Sequence, residues 1–584
     1  MRYPTLRAPG GRREMLDTFR GYNHNLRIED GEFYEMENMT GAHYPLLSPR
    51  GKRGVYAAES TKAPGALIAK DGLCWVDGRD FFLNEYRIDL GLGNEGPKQL
   101  VSMGAYVIVL PDKKYINTLD LTDYGSLDAS FTTTDDVTFE LCTVDGEAYA
   151  DATVSDMEPE EPENLALWID TSSTPHTLKK YSSASGMWVS IATTYIKISS
   201  PGIGAAFSQY DGVTISGVAD EKLQDLNATM VLWGCGDDHI IVTGILDTVT
   251  TQLAVDGAIT LERKMPAVDF VTESGNRLWG CRYGVANNGE VVNEVYACKL
   301  GDFKNWNCFM GLSTDSYVAS CGTDGPFTGA ITHLGHPLFF KEHFVHKVYG
   351  NYPANFQIQD TALRGVQQGC HRSLAIVNEI LYYKARHAVV AYDGSLPVEV
   401  STAFGEERYS EAAAGAHGNK YYISMCDSRG GWHLMVYDTT RGLWHREDSL
   451  RADCFCSCRE ELYAIDHDTG KIVTMLGSGI QDKGRVKWMV QTGILCTDMP
   501  DMKYISRLLV RLSLEIGAKV RLYAQYDSMG GWESLGTITG TDLRSFPLTI
   551  QPRRCDHMRL RIEGEGDARI YSITKTIEQG SDIS

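Results

Sequence analysis

The chain has 584 residues and a mass of 64.7 kDa, more than one hydrophobic core usually serves, so two to four folding units are expected. Its 58 glycines and 30 tyrosines favour tight turns and strands that carry aromatic side chains, which is typical of an all-β protein. A formal net charge of −21 argues against a general nucleic-acid binder, because an acidic surface repels phosphate backbones.

The sequence predicts neither a secretion signal nor a membrane span. Met1–Arg20 is polar and basic, and no run of about 18 apolar residues occurs. The 14 cysteines lack the regular spacing of a disulfide framework, which favours folding in a reducing cytoplasm and buried free thiols. We therefore expect the chain to fold in the cytoplasm of a cell.

The first 53 residues are predicted to form an arm or clasp. Prolines and glycines interrupt the stretch, a pattern that suits neither a helix nor a long strand, and they include Pro4, Pro9, Gly10, Gly11, Pro45 and Pro49.

Residues 54–123 have a different pattern, in which short apolar runs alternate with turns rich in Asp and Gly. This pattern predicts antiparallel strands joined by hairpin connections at Lys70–Gly72, Asp77–Arg79 and Pro111–Lys113. The predicted strands are Ala66–Ala69, Leu73–Val76, Phe81–Leu83, Leu100–Ser102, Tyr106–Leu110 and Tyr115–Asn117.

Similar groups recur over residues 263–477 at intervals of 30 to 50 residues, the range in which four-stranded propeller blades are made. Two groups are especially alike, Tyr382–Gly394 and Tyr422–Trp444, and the second resembles a kelch-type blade whose late Trp444 covers the next blade. Together with residues 54–123 these groups predict a β-propeller of about seven blades, with six or eight as alternatives.

Two further domains interrupt or follow the propeller. Residues 124–262 contain the acidic segment Asp156–Asn164 and Ser/Thr-rich alternating stretches, which predict an inserted β-domain. Residues 478–584 carry strands that alternate apolar with basic positions, such as Tyr504–Leu514, and predict a C-terminal β-sandwich.

Several segments resemble uncharacterised structural proteins of tailed bacteriophages and prophages of Gram-positive gut bacteria. They span nearly the whole chain and comprise Phe19–Asn25, Tyr44–Gly54, Asp269–Gly280, Leu300–Trp306, Val348–Phe356 and Arg553–Gly564. The resemblance implies a virion component of propeller type that has no catalytic residues of its own.

The hypothesis that we favour is that the chain is a non-enzymatic virion protein that forms a symmetric ring or tube of the tail nozzle or connector type. Its partners would be other copies of itself and other tail or connector proteins. Such a ring would line the DNA channel without binding DNA specifically, because its negative charge keeps DNA from the wall. The expected location is the virion, after assembly in the host cytoplasm.

Two alternatives remain open. A receptor-binding tail-tip or fibre protein would use the inserted domain or the sandwich to bind a host-surface glycan. A propeller glycosidase, the more distant alternative, would need two carboxylates about 5 to 10 Å apart near the propeller axis.

Two clusters resemble metal sites, but their spacing argues against one, and no metal or cofactor is predicted. The pairs His333/His336 and His343/His346 have a three-residue spacing that directs side chains to opposite faces of a strand. Cys454, Cys456 and Cys458 share one face of a strand, but their spacing differs from a zinc knuckle and suits core packing.

Candidate interface residues are aromatic or basic. Aromatic side chains bury much area at modest entropic cost, so each aromatic candidate is either an interface anchor or a core residue. The arginines stand out against the acidic chain, and they would face an acidic partner or DNA, be solvated at the surface, or pair within the chain. The candidates are Phe33, Tyr34, Arg50, Arg53, Tyr352, Phe356, Arg553 and Arg554.

Overall fold

The computed structural model describes residues 11–56, 64–93, 97–134, 137–149, 152–174, 176–245, 252–255, 258–286, 289–481, 484–496 and 502–579. Within these ranges the chain is built of β-strands, with no α-helix and four short 3-10 helices: Glu221–Leu226, Pro353–Asn355, His371–Ser373 and Thr402–Phe404. None of these helices is long or apolar enough to cross a membrane.

The chain divides into two compact units. One unit comprises Met1–Lys98, Phe339–Val345 and Thr361–Ser584, and the other comprises Gln99–Leu338 and His346–Asp360.

Outside the insertion, seven sheets in the described ranges share one design, in which consecutive strands lie side by side; we call them blades 1 to 7. Blade 1 consists of Pro64–Ala69, Leu73–Asp77, Asp80–Leu83 and Tyr86–Asp89, and blade 2 of Gln99–Met103, Tyr106–Leu110, Lys114–Asn117 and Tyr124–Ser126. Blade 3 consists of Phe270–Glu273, Leu278–Val285, Val291–Ala297 and Tyr317–Ser320, and blade 4 of Gly329–His333, His336–Phe340, Phe344–Tyr349 and Gln357–Ala362. Blade 5 consists of Ala375–Val377, Ile380–Lys384, Val389–Tyr392 and Val398–Glu399, and blade 6 of Tyr409–His417, Lys420–Asp427, Trp432–Asp438 and Leu443–Arg446.

Blade 7 is completed by a strand from the N-terminal part of the chain. Its own strands are Ala452–Cys458, Glu461–Asp466, Lys471–Thr474 and Ile480–Gln481. Gly54–Val55 lies between the last two and pairs antiparallel with both. Gly54 is required there because a Cβ atom would collide with the carbonyl oxygen of Ser478.

The hairpin connections predicted from the sequence are present in the structure. Asp71, Gly78 and Lys113 have φ values of +56°, +60° and +55°, the left-handed conformation that tight turns require. The strands between these turns are short and alternate with them as predicted.

Blades pack on one another through their first strands, as in a propeller. In the first unit the first strand of blade 5 contacts that of blade 6, blade 6 contacts blade 7, and blade 7 contacts blade 1. In the second unit the first strand of blade 2 contacts that of blade 3, and the first strand of blade 3 contacts that of blade 4. The predicted fold class, an all-β propeller of about seven blades with an inserted β-domain and a C-terminal β-sandwich, is confirmed.

The inserted domain contains three sheets that contribute side chains to one buried core. The first sheet is ordered Ala129–Thr132, Thr260–Arg263, Gly212–Ser216 and Thr229–Val231. The second sheet is ordered Gly234–Gly236, His239–Thr243, Tyr195–Ser199, Val137–Cys142 and Gln252–Val255. The third sheet is ordered Thr153–Ser155, Leu167–Asp170, Thr177–Ser182 and Met187–Ser190. Phe139, Ile169 and Ile215, one from each sheet, are at most 2% exposed. Because Tyr124–Ser126 belongs to blade 2, the sheets of the insertion begin at Ala129 rather than at residue 124.

The C-terminal domain has two sheets, and each incorporates strands from the N-terminal region. One sheet is ordered Gly11–Leu16, Ala568–Gln579, Lys503–Leu514 and Arg544–Leu548. The other is ordered Gly21–Tyr22, Glu32–Glu37, Lys487–Thr492, Met558–Glu565, Lys519–Tyr526 and Met529–Ile538, and a small sheet pairs Met39–Thr40 with Ser48–Pro49. In Lys503–Leu514 alternate side chains are buried, the period of two that one covered face imposes. The described part of the predicted N-terminal arm is therefore paired within its own chain.

Trp444 differs from its predicted role of covering the next blade. Its indole Nε1 donates to the carbonyl oxygen of Val400 at 2.7 Å, and its ring packs on Phe404. Both residues lie in the connection between blades 5 and 6, so Trp444 fixes the entry to its own blade.

Candidate functional site

Arg50 and Arg53, two of the predicted interface residues, form a buried ion-pair cluster with Glu447 and Asp448. Arg53 Nη1 lies 2.5 Å from Asp448 Oδ2 and Arg53 Nη2 lies 2.8 Å from Glu447 Oε2. Arg50 Nη2 lies 3.1 Å from Asp448 Oδ2. Both guanidinium groups are thus used within the chain, where they hold the segment before Gly54 against the connection between blades 6 and 7.

The electrostatics of this cluster favour the charged forms of Arg53 and Asp448, whereas burial and the neighbouring Arg53 lower the pKa of Arg50. Burial alone would raise the pKa of Asp448, but Arg53 and Arg50 outweigh it and hold that pKa below its usual value. Burial likewise opposes the charge on Arg53, yet Asp448 and Glu447 raise its pKa. Such a cluster is strong only while both partners are present, since either charge alone would be buried without compensation.

The two N-terminal aromatic candidates differ in accessibility. Phe33 is fully buried and its ring lies 6.0 Å from that of Phe19, so within this chain it is a core residue, the alternative to an interface anchor. Tyr34 is partly exposed, with its ring stacked 4.1 Å from that of His24 and with Arg559 over it at 5.8 Å. Alternation along Glu32–Glu37 explains the difference, because neighbouring side chains point to opposite faces.

Tyr352 and Phe356 flank a short 3-10 helix in the second unit. Tyr352 is 44% exposed. The ring of Phe356 lies 4.9 Å from that of Trp279 and 5.2 Å from that of Tyr317, and Arg277 lies over it at 5.7 Å. Phe356 is therefore mainly a packing residue, whereas Tyr352 presents its ring to solvent.

Arg553 and Arg554 are both exposed on the C-terminal sandwich. Arg553 pairs with the exposed Glu533 at 2.9 Å and lies over the ring of Tyr526. An exposed pair of this kind contributes about 0 to 1 kcal/mol, so the guanidinium of Arg553 is readily available to a partner.

A Ser-His-Asp chain of hydrogen bonds occurs at a nearby turn of the same domain. Ser528 Oγ lies 2.8 Å from His557 Nε2, and His557 Nδ1 lies 2.9 Å from Asp556 Oδ2. Ser528 has a left-handed φ of +52° and connects Lys519–Tyr526 to Met529–Ile538. Asp556 is 59% exposed and therefore well hydrated, so we interpret the arrangement as a lock on the hairpin.

Residues 308–315 of blade 3 form an exposed apolar loop that is not predicted from the sequence. We call this loop the apolar tip. Phe309 and Leu312 are 52% and 51% exposed. Asp315 Oδ2 accepts hydrogen bonds from the backbone N–H groups of Met310, Gly311 and Leu312 at 2.5, 2.7 and 3.0 Å. The carboxylate of Asp315 thus fixes the loop that presents the two apolar side chains. A glycine between apolar residues and a following Asp is the sequence signal for such a turn.

The four histidines of the pairs His333/His336 and His343/His346 have separate environments. His346 lies between Asp360 Oδ1 and Thr323 Oγ1, at 2.6 and 2.9 Å, and His336 Nδ1 donates to the carbonyl oxygen of Val348. His333 is buried, and His343 lies on a turn. Among the described residues no three His, Cys, Asp or Glu side chains are arranged to hold a metal ion.

Cys454, Cys456 and Cys458 lie in blade 7 and pack with the buried Leu73, Trp75 and Ile465. Burial raises the pKa of Cys454 to about 11, which keeps the thiol protonated at neutral pH. These cysteines therefore behave as small hydrophobic residues of the core.

No protein-family model matches the chain, and no curated protein matches it. Solved structures with some likeness include an exo-β-1,3-galactanase of Phanerochaete chrysosporium, 9% identical, with 52% of this chain and 94% of that chain covered and a TM-score of 0.22. A surface component of the type IX secretion system of Porphyromonas gingivalis is 9% identical, with 90% and 71% covered and a TM-score of 0.25. The WD40 domain of Toxoplasma gondii coronin is 9% identical, with 75% and 86% covered and a TM-score of 0.23. Likenesses of this size carry no argument about function.

Proposed function

We propose that the chain is a structural protein of a tailed-phage particle that self-associates into a symmetric ring or tube of the nozzle or connector type. The sequence segments that resemble phage structural proteins suggest the particle. The observation that carries self-association is the apolar tip of blade 3, with Phe309 and Leu312 exposed on a loop that Asp315 fixes.

A fixed apolar loop suits an interface better than a mobile one. Ordering a loop on binding costs conformational entropy, and a loop whose backbone is already hydrogen-bonded avoids much of that cost. Phe309 and Leu312 are about half exposed, so burying each in a partner contributes about half of the roughly 1.5 to 3 kcal/mol that burial of a whole apolar side chain contributes. Leu300 and Val318 of the same blade are also exposed, at 41% and 44%. We assign a second copy of the chain as the partner, since repeating one contact generates a ring.

The way the N-terminal region is held also suits a mechanical part. Gly11–Leu16 and Glu32–Glu37 are strands of the sandwich, and Gly54–Val55 is a strand of blade 7. Lys575, in the last strand, pairs with Glu14 and Asp30 at 3.1 and 2.9 Å. Pulling on this region would have to break several ladders of backbone hydrogen bonds together.

The net charge of −21 is consistent with a channel for DNA. An acidic wall does not collect phosphate groups by releasing counterions, so passing DNA would not stick to it.

Two measurements test the proposal. Light scattering coupled to size-exclusion chromatography gives the mass of the purified chain, and a cryo-EM reconstruction of the intact particle gives its position. We expect a ring on the tail axis whose contacts include the apolar tip. The substitutions Phe309→Ser and Leu312→Ser should weaken self-association, whereas Leu396→Ser and Val398→Ser, equally exposed in blade 5, should not. A peripheral position in the particle would overturn the proposal.

A second candidate function is recognition of a host-surface glycan by the inserted domain. Trp168, Tyr181 and Trp188 form an aromatic cluster with ring centroids 5.4 Å apart from Trp188 to each neighbour. The indole Nε1 of Trp188 is buried without a hydrogen-bond partner, and the flanking Met187 and Val189 are exposed. If the chain binds to host cells and the substitution Trp188→Ala abolishes that binding, glycan recognition is favoured over assembly.

A further inference from the structure

A cavity of about 450 Å³ lies in the first unit at one end of blade 5. Three arginines line it, Arg364, Arg386 and Arg408, together with the carboxylates Glu342 and Glu399 and the imidazoles His343 and His387. Its volume is within the range of small-molecule sites in proteins.

The residues come from four segments that the blade design brings to one end. In a four-stranded antiparallel blade, the connection between the second and third strands lies at the same end as the connection to the next blade. The connections between second and third strands supply His343 and the Arg386–His387 turn. The connections between consecutive blades supply Arg364 and Arg408. The cavity is therefore a product of the blade architecture rather than of one irregular loop.

The cavity has an excess of positive charge in a strongly acidic chain. Three guanidinium groups face two carboxylates, and one of each, Arg364 and Glu399, lie 3.4 Å apart. Among the described residues neither Arg386 nor Arg408 has a carboxylate within ion-pair distance. Two arginines are thus left for an anionic group from outside.

Buried side chains of the strand Ile380–Lys384 fix the backbone of the arginine-bearing segments. The Tyr383 hydroxyl donates to the carbonyl oxygen of Arg364 at 2.6 Å. Lys384 Nζ donates to the carbonyl oxygen of Ala385 at 2.6 Å and to Gln367 Oε1 at 2.8 Å. The N–H of Ala385 bonds to the carbonyl oxygen of Ala388 and so closes the turn that carries Arg386.

The other wall is tied to the same framework. The N–H of Leu363 donates to the carbonyl oxygen of His343, and the N–H of Gly365 donates to that of Glu342. Gly365 has no room for a Cβ atom, which would collide with the carbonyl oxygen of Lys341. The backbone of the segments that carry Arg364 and Arg386 is therefore fixed before any ligand arrives, so binding has to order only the arginine side chains.

We propose that this cavity binds a sugar acid, with Arg386 and Arg408 on its carboxylate and Glu342 and Glu399 accepting hydrogen bonds from its hydroxyls. Guanidinium groups match a carboxylate in shape and charge and bind it through paired hydrogen bonds. The two acidic side chains would repel a bare phosphate ion, whereas they are suitable acceptors for sugar hydroxyls. The site does not depend on self-association, so it stands or falls separately from the assembly proposal.

Isothermal titration and saturation-transfer NMR on the full chain test the site, with N-acetylneuraminic acid and glucuronic acid as probes and glucose and inorganic phosphate as comparisons. We expect the acids to bind and glucose to bind at least tenfold more weakly. Arg386→Ala should raise the Kd of the acids about tenfold, the loss that one charge-assisted hydrogen bond produces. The double variant Arg386→Ala/Arg408→Ala should abolish binding.

Arg87→Ala is the matched control, because Arg87 is an exposed arginine of blade 1 that pairs with Asp80. It should leave binding unchanged. Arg386 and Arg408 are exposed, so their variants keep the fold, and equal melting temperatures check this. Equal binding of glucose, phosphate binding as tight as that of the acids, or wild-type affinity in the double variant would each overturn the proposal.

Discussion

Arg53 and Asp448 are 395 positions apart in the chain, yet Arg53 Nη1 lies 2.5 Å from Asp448 Oδ2. This contact, with the neighbouring strand Gly54–Val55 in blade 7, joins the N-terminal region to the last part of the propeller. A segment that precedes blade 1 in the sequence therefore completes blade 7.

We predict that Arg53→Ala lowers the free energy of unfolding by about 3 to 5 kcal/mol, because it leaves Glu447 and Asp448 buried beside too little positive charge. Urea unfolding followed by tryptophan fluorescence measures the change. Arg87→Ala, which removes an exposed ion pair, should leave the stability nearly unchanged. Equal effects of the two substitutions would show that the cluster of Arg53 is not a structural contact.

Gly54→Ala should destabilise the protein by about 1 to 3 kcal/mol through overpacking. The added methyl group would meet the carbonyl oxygen of Ser478 and the hydroxyl of Thr474, which also accepts a hydrogen bond from the N–H of Gly54 at 3.0 Å. Gly51→Ala is the control, because a Cβ atom at Gly51 has no neighbour within 4 Å. Thermal unfolding of both variants decides the matter, and a Gly54→Ala protein as stable as Gly51→Ala would contradict the strand insertion.

Blades 1 and 7 show which strands of the fold can be predicted from the sequence. In blade 1 the strand Leu73–Asp77 was predicted almost to the residue, because apolar runs and the turns at Asp71 and Gly78 are local signals. Gly54–Val55 was not predicted as a strand of blade 7, since two residues have no periodicity and their partner Thr474 is 420 positions away. Tertiary pairing decides such an element.

The candidate site was predictable to a smaller extent for the same reason. Residue type identified Arg50 and Arg53 as unusual, but only the fold shows that their partners are Glu447 and Asp448 of the same chain. Phe33 and Tyr34 are adjacent aromatics, and only the register of their strand makes one buried and the other partly exposed. The cavity of Arg364, Arg386 and Arg408 left no local pattern, because its residues come from separate connections.

Acidification should destabilise the protein through His445. Burial lowers the pKa of His445 to about 4, with Lys420 and Arg441 adding to this and Asp438 opposing it. Between pH 6.5 and 4 the unfolded chain therefore binds more protons than the folded chain, so stability falls as the pH falls. At pH 5 the loss from this residue is about 2 kcal/mol.

The comparison of His445→Gln with the wild type at pH 7 and pH 5 measures this contribution. The variant should lose about 2 kcal/mol less on acidification, because glutamine takes up no proton. Gly51→Ala, which alters no ionisable group and places its Cβ atom in open space, serves as the control and should follow the wild type. Identical pH dependence of His445→Gln and the wild type would exclude a role for His445.

Asp315→Asn should loosen the apolar tip without unfolding blade 3. The substitution replaces a charged acceptor of three backbone N–H groups with a neutral one, and hydrogen bonds to charged groups contribute about 1.5 to 3 kcal/mol. Hydrogen exchange of the amides of residues 310–312 should therefore become about 10 to 100 times faster. The turn in which Asp427 accepts from the N–H groups of Arg429 and Gly431 should exchange as before.

The same variant separates order in the tip from its apolar character. If a fixed loop is what makes the tip adhesive, Asp315→Asn weakens self-association even though Phe309 and Leu312 are unchanged, because the loop must then be ordered on binding. Light scattering over a range of protein concentrations measures this weakening. Faster exchange with unchanged self-association would mean that the apolar side chains act without the order that Asp315 provides.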